Sequence, residues 1–369
     1  MTEAGFIEAS AAMQLGGFAG PVAQSRDALL RALRGSSGSA LAQLPGGGPV
    51  MRLAEGELHK VNRSELAQPG KATNALAQIR AFGPDFGFIV DMQDRRIRSL
   101  AEPDDACWPV FCFNRKATDM RRILWPLPFY HDLPGDHFLA DIRPDAVPWE
   151  EKAPRVVWRG ITGGRVMGAD PRDEGIRLKG ILRRHAAGRL GDAELAAMIG
   201  RLPRFHALTQ VLDDPRFDFG FVDGDGYVIA ETPLHAPLGR PRLSRVDMQR
   251  CKYIAVLRGL DVGSSFYWVM NSGSVGFVME TPFQSFASGH FRPWEHYIPF
   301  REDCADLEER FDWAEAHPAE CREMTRRAAA VCALLARTDL RENILRETVA
   351  RVNAMERVGV TPAEGGAKA

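Results

Sequence analysis

No run of this chain approaches the roughly 20 consecutive apolar residues that a membrane-spanning helix needs. Residues Met1–Gly20 also lack the basic start and unbroken apolar core of a secretory leader. The sequence therefore points to the cytosol, and any membrane contact would be peripheral. Cysteine is scarce, and Cys107, Cys112, Cys251, Cys304, Cys321 and Cys332 contain no CxxC pair. Reduced thiols are expected rather than a disulfide frame or a zinc site. Neither sign of charge is in excess, with 47 Lys and Arg against 48 Asp and Glu and a formal net charge of −1. No global field would recruit nucleic acid. A Gly-Lys-Ser/Thr phosphate loop and an HExxH pair are also missing, and His131, His137, His206, His235, His290 and His296 show no paired-ligand spacing. The Asp223-Gly-Asp-Gly226 turn begins like a calcium hand, but its twelfth position is Leu234 where a bidentate Glu is required. No metal and no cofactor are expected.

What is present reads as two domains, because 369 residues exceed the usual about 100–200 residues of one core. Residues 1–50 are rich in small residues and broken at Gly35-Ser-Ser-Gly-Ser39 and Pro45-Gly-Gly-Gly-Pro49, so a flexible or lightly packed lead-in is expected, with one short helix near Asp27–Arg34. Residues 51–150 form the first domain, with a helix over Asn74–Phe82 and a buried strand at Phe86–Val90 that stops at Asp91-Met-Gln-Asp94. Residues 151–318 form the second. It holds a strand at Arg155–Trp158, a helix over Asp173–His185, and the apolar runs FDFGFV, YVIA, YIAVL and VGFVM. Strands alternating with helices predict a parallel, doubly wound sheet. Residues 319–369 are helical and expected to pack back towards the first domain. Capping boxes are expected at Asp306/Glu309 and Asp339/Glu342, and Pro318 suits a first helical position.

Four segments offer chemistry. In Trp158-Arg-Gly-Ile-Thr-Gly-Gly-Arg165, glycines follow a strand, where bare N–H groups can approach phosphate and Arg159 and Arg165 add charge; plain turn chemistry is an equal reading. The strand ending at Arg258-Gly259 before an apolar helix makes a similar offer to a pyrophosphate. Asp91 and Asp94 close their strand at the edge where ligands bind open sheets, and either is a general-base candidate unless both are turn residues. Phe291–Phe300 gathers aromatics with Arg292 and His296, as a wall for a base or sugar or as a core plug.

Taken in order, several segments resemble glycosyltransferase family 90, the group of protein O-glucosyltransferases and of capsule and lipopolysaccharide glycosyl- and xylosyltransferases. They are Pro84–Asp94, Pro109–Phe113, Pro148-Trp149 with Trp158-Arg-Gly160, Cys251-Lys-Tyr253 with Arg258-Gly259, Ser272-Gly-Ser274, and Pro293–Pro299 with Asp306-Leu307. The resemblance implies an α/β fold of the GT-B kind, two Rossmann-like domains facing a central cleft with a helical C-terminal segment. It also implies an inverting transferase that moves glucose or xylose from a UDP-sugar to a hydroxyl of a glycan or glycolipid in lipopolysaccharide or capsule assembly. It places the base on Asp94 and gives Asp91 a supporting place, with Trp294 and His296 on the acceptor or sugar wall. The implied donor set is Arg159, Gly160, Thr162, Gly163, Gly164, Arg165, Arg172, Arg177, Arg258, Gly259, Ser264, Ser265 and Glu280. One departure stands out, since Ser265 falls where eukaryotic members carry a phosphate-gripping Arg. The alternative is therefore a catalytically impaired nucleotide- or carbohydrate-binding protein of the same fold.

Overall fold

The computed structural model describes residues 2–93, 106–119, 121–127, 145, 147–167, 177–222 and 236–359. Two compact units divide the chain: residues 1–138 with 282–290 and 335–369, and residues 139–281 with 291–334.

In the first unit, α1 (Glu3–Leu15) starts where the Thr2 hydroxyl accepts the Gly5 N–H at 3.2 Å. After β1 (Val22–Ala23), Ser25 caps α2 (Arg26–Arg34) in the same way through the Ala28 N–H. The strands β2 (Leu41–Gln43), β3 (Val50–Ala54) and β4 (Glu57–Lys60) run as an antiparallel meander. After α3 (Arg63–Leu66) and α4 (Lys71–Ala81) come β5 (Phe88–Val90), β6 (Val110–Cys112), β7 (Asn114–Lys116) and β8 (Arg122–Leu124). The sheet order is β4-β3-β2-β5-β6-β8, with β5, β6 and β8 parallel. Phe88, Ile89, Val90, Val110 and Phe111 are all buried, as a strand covered on both faces requires.

The second unit begins with β9 (Ala153–Gly160). The chain then passes through α5 (Leu178–Ala186), α6 (Asp192–Gly200) and α7 (Pro203–Gln210) to β10 (Phe217–Phe221). Then follow α8 (Arg245–Met248), β11 (Cys251–Val256), α9 (Phe266–Met270) and β12 (Val275–Met279). The next strand, β13 (Phe283–Ser285), returns to the first unit and pairs antiparallel with β7, setting Gln284 opposite Arg115. The second unit resumes with β14 (Ile298–Phe300) and α10 (Leu307–Ala316), and α11 (Pro318–Ala336) carries the chain to α12 (Thr338–Asn353) and β15 (Arg357–Val358) of the first.

Among the described residues, the second unit's five strands are all parallel in the order β10-β9-β11-β12-β14. Numbered within the unit this is 2-1-3-4-5, the flavodoxin-like doubly wound order. The chain leaves β9 and β11 in opposite directions, so the crevice outside their carboxyl ends is the topological switch point where such sheets bind ligands. One core cluster, from Val156 and Trp158 to Phe311 and Met324, fixes these strands.

Three expectations need correction. Residues 1–50 are not a loosely packed lead-in: α1 buries Phe6, Ala11 and Leu15 and packs on α12, while β2 lies inside the six-stranded sheet and β1 pairs with β15. Asp306 makes no capping bond to its helix, because its carboxylate instead accepts the Arg301 N–H at 2.9 Å and pairs with Arg310. Helix α12 starts at Thr338, which puts Asp339 inside the first turn, paired with Arg337. The YVIA run and Asp223–Gly226 lie outside the described residues. Among the described residues no helix is long and apolar enough to cross a membrane.

Candidate donor crevice at the edge of the second sheet

The carboxyl ends of β12 and β14 meet an open cleft of about 630 Å³ lined by Met167, Arg201, Glu280, Arg301, Glu302 and Asp303. Three of these are carboxylates and two are arginines. Asp303 is gripped by Arg301 at 2.5 and 2.9 Å, which holds its carboxyl down to about 2 and uses that arginine's charge locally. Among the described residues no group of three or more His, Cys, Asp or Glu side chains could hold a metal ion.

Each arginine of the expected donor set has a different fate. Arg159 forks onto Asp218 at 2.8 and 3.0 Å and donates to the carbonyls of Trp158, Asp218 and Pro241, so its guanidinium ties β9 to β10. Arg258 is buried and paired with Glu302. Arg165 is buried, while Arg177 is exposed at the start of α5. Arg172 lies outside the described residues.

The glycines also have specific neighbours. A Cβ on Gly160 would stand 2.4 Å from the Trp158 ring, so this glycine lets the indole fold over its own strand. Gly164 has φ +125°, a conformation that L side chains rarely adopt. Gly163 and Gly259 make room for a residue the sequence reading did not single out, Arg204: added Cβ atoms would lie 3.0 and 2.9 Å from its guanidinium nitrogens. Arg204 donates to the carbonyl of Ile161 at 2.8 Å and, less closely, of Leu257 at 3.4 Å, and its guanidinium lies 5.5 Å from the centre of the Trp158 ring. It thereby joins the ends of β9 and β11 at the switch point. Burial lowers its pKa to about 10, partly offset by Asp261, so it stays cationic at neutral pH. One sequence signal could have found it. Pro203 starts α7, which puts a cation in the first turn, where the helix dipole disfavours positive charge and no acidic side chain is present.

Of the remaining donor candidates, Thr162 is buried, Ser264 is exposed, and half-buried Ser265 begins α9 without capping it through its side chain. Glu280 lines the cleft. Of the expected aromatic wall, Trp294 packs edge-on against Trp313 at 4.9 Å with Arg310 5.0 Å from its ring centre, and buried His296 accepts the Arg292 N–H at 3.0 Å. Ser272-Gly-Ser274 lies before β12, at the amino edge of the sheet. There Asp145 accepts the Gly273 N–H at 3.2 Å while buried Lys152 reaches Asp145 at 2.5 Å and Ser274 at 3.2 Å. That motif is a structural lock.

In the first unit Asp91 is fully buried. It accepts the Ser37 hydroxyl at 2.5 Å and the Ser37 N–H at 3.1 Å, and Arg122 lies 3.7 Å away, so it anchors the turn after α2 instead of facing an acceptor. Asp94 lies outside the described residues.

Comparison with known proteins matches residues 237–340 to the model of glycosyl transferase family 90. Protein O-glucosyltransferase 2 of Danio rerio is 29% identical over 118 residues, 32% of this chain and 22% of that protein. Uncharacterized protein 035R of Invertebrate iridescent virus 3 and uncharacterized protein 027R of Frog virus 3 (isolate Goorha) are each 46% identical over 37 residues, 10% of this chain and 3% and 4% of theirs. The matches thus span less than a quarter of each relative's length. The family segment contains β11, β12 and β14 together with Arg258, Glu280, Arg301 and Glu302 of the crevice. The likeness to glycosyl transferase family 90 lies in this segment.

Proposed function

We propose that this protein is an inverting glycosyltransferase of the GT-B type that transfers glucose or xylose from a UDP-sugar to a hydroxyl of a glycan or glycolipid. The observation that carries this reading is the coincidence of the family 90 segment with the ligand-binding edge of a 2-1-3-4-5 parallel sheet. The diphosphate is the leaving group, and cations and N–H groups at that edge stabilise its growing charge. Asp94 takes the proton from the acceptor hydroxyl as the oxygen attacks the sugar's anomeric carbon from the face opposite the nucleotide. A cytosolic setting in lipopolysaccharide or capsule assembly, with peripheral membrane contact at most, suits this chemistry.

UDP release from UDP-glucose and UDP-xylose tests the proposal, with and without glycan acceptors. Asp94→Asn is expected to lower transfer by about 10²–10⁴ while UDP affinity stays within twofold. Unchanged transfer in that variant would remove Asp94 as the base. Ser265, a neutral group at the start of α9, favours one rival reading, a binding protein without turnover. Calorimetric UDP binding with no transfer across a broad donor and acceptor panel would establish that rival.

A further inference from the structure

We infer that Arg201, on the short connection from α6 to α7, and Arg204, in the first turn of α7, are the diphosphate-binding pair of the crevice, and that the ligand they select is a nucleoside diphosphate or its sugar ester. The inference rests on the nucleotide-sugar reading above and names the residues that hold the ligand's charge. Arg159 is neutralised by Asp218, Arg258 by Glu302 and Arg301 by Asp303. Arg201 and Arg204 differ, because among the described residues neither forms an ion pair, and both are held by neutral carbonyl oxygens.

A guanidinium carries five N–H donors. Arg201 uses its Nε and one Nη on the Met167 carbonyl at 3.2 and 2.9 Å, and Arg204 uses two Nη groups on Ile161 and Leu257. Five less two leaves three N–H groups on each, although the Nε of Arg204 is shut away from solvent. Carbonyls fix the orientation of an arginine without cancelling its charge, which is the preparation an anion site requires.

Placement supports the same conclusion. Arg201 lines the cleft, and Arg204 packs against Gly163 and Gly259 at the ends of the two strands that form the switch point. It also sits in the first turn of an eight-residue helix with no acidic side chain, where its charge and the positive end of the dipole add together. Burial lowers the pKa of this cation, and Asp261 offsets only part of the cost; a doubly charged diphosphate would supply the missing counter-charge. Glu280, the one lining carboxylate with no ion pair among the described residues, repels anions at its part of the lining and so favours the arginine side.

The test is isothermal titration calorimetry on the full chain with UDP, uridine and inorganic pyrophosphate. It compares wild type with Arg201→Gln, Arg204→Gln, Arg204→Lys and a distant control, Arg322→Gln, which alters an exposed pair with Glu150. Arg201→Gln and Arg204→Gln should each weaken UDP and pyrophosphate about ten- to hundredfold while uridine binding is unchanged, and Arg322→Gln should behave as wild type. Arg204→Lys should fall between, because it keeps the charge and loses the fork. Wild-type UDP affinity in the Arg201 and Arg204 variants would overturn the pair and leave the nucleotide-sugar reading standing. Pyrophosphate binding that the variants lose, without UDP binding, would keep the anion pair and overturn the nucleotide reading. Failure of wild type to bind either overturns both. Should Arg204→Gln not fold, Arg201→Gln and Arg204→Lys decide the matter alone.

Discussion

Asp218 shows how a strand-end arginine can be diverted from ligand chemistry. Its carboxylate, together with three carbonyls, takes the Arg159 guanidinium, so the charge at this position serves the β9–β10 pairing. Replacing Asp218 with Ala should cost about 1–3 kcal/mol in urea unfolding, because it strips a partly buried arginine of its counter-charge. UDP affinity should stay unchanged; a large loss of UDP binding would return Arg159 to the donor site. The meeting of Gly163, Gly164, Arg258 and Gly259 at one sheet edge was legible in the sequence. Which arginine keeps its charge was not, because that depends on Asp218 and Glu302, which lie 59 and 44 residues from the cations they neutralise.

Among the elements, α1 is the one the sequence hid. Its stretch of Ala, Ser and Gly resembles a linker, and what makes it a helix in place is tertiary: Phe6 stacks on His290 at 4.4 Å, and Ser10 bonds the same ring at 2.7 Å. Buried Arg115 then closes its C-terminus by donating to the carbonyls of Met13 and Gln14 at 2.7 and 2.8 Å, and to Gln284 of β13 at 3.1 Å. Arg115→Met should therefore destabilise the protein by about 2–4 kcal/mol and speed hydrogen exchange over residues 3–15 above the rest of the first unit. Exchange that rose evenly would show that Arg115 does not act on α1. The 291–297 loop makes a separate statement about pH. Burial lowers the His296 pKa below its ordinary 6.5, against an opposing contribution from Glu295 and alongside smaller ones from Arg292 and Arg327. As pH falls through 6.5 the unfolded chain takes up that proton first, so stability is full above pH 6.5 and declines below it. Urea unfolding at pH 7.5 and 5.5 should show a smaller acid loss in His296→Asn than in wild type; equal losses would acquit this histidine. The strands fared better as sequence features, since FIV, VVW, YIAV and VGFVM are apolar on both faces and only a covered sheet can hold them.

For the whole molecule, the parallel α/β plan was readable from alternating elements, and the exchange of chain between the units was not. Residues 282–290 read as part of one continuous second domain, yet β13 bonds to β7. Periodicity marks a strand without naming its partner. If the second unit holds the nucleotide, UDP at 100 times its Kd should add about 2.7 kcal/mol of stability. It should also slow exchange over residues 159–167, 200–205 and 257–263 while leaving residues 2–93 unaltered. Protection confined to the first unit would refute the donor crevice. The pairing of Val22 with Arg357 and of α1 with α12 carries a consequence for synthesis. The residues of α1 wait for partners more than 300 positions downstream, so α1 emerges well before α12 and is fastened late. Such an unfinished surface is a natural client for chaperones, and a chain cut short before residue 338, where α12 begins, leaves it open.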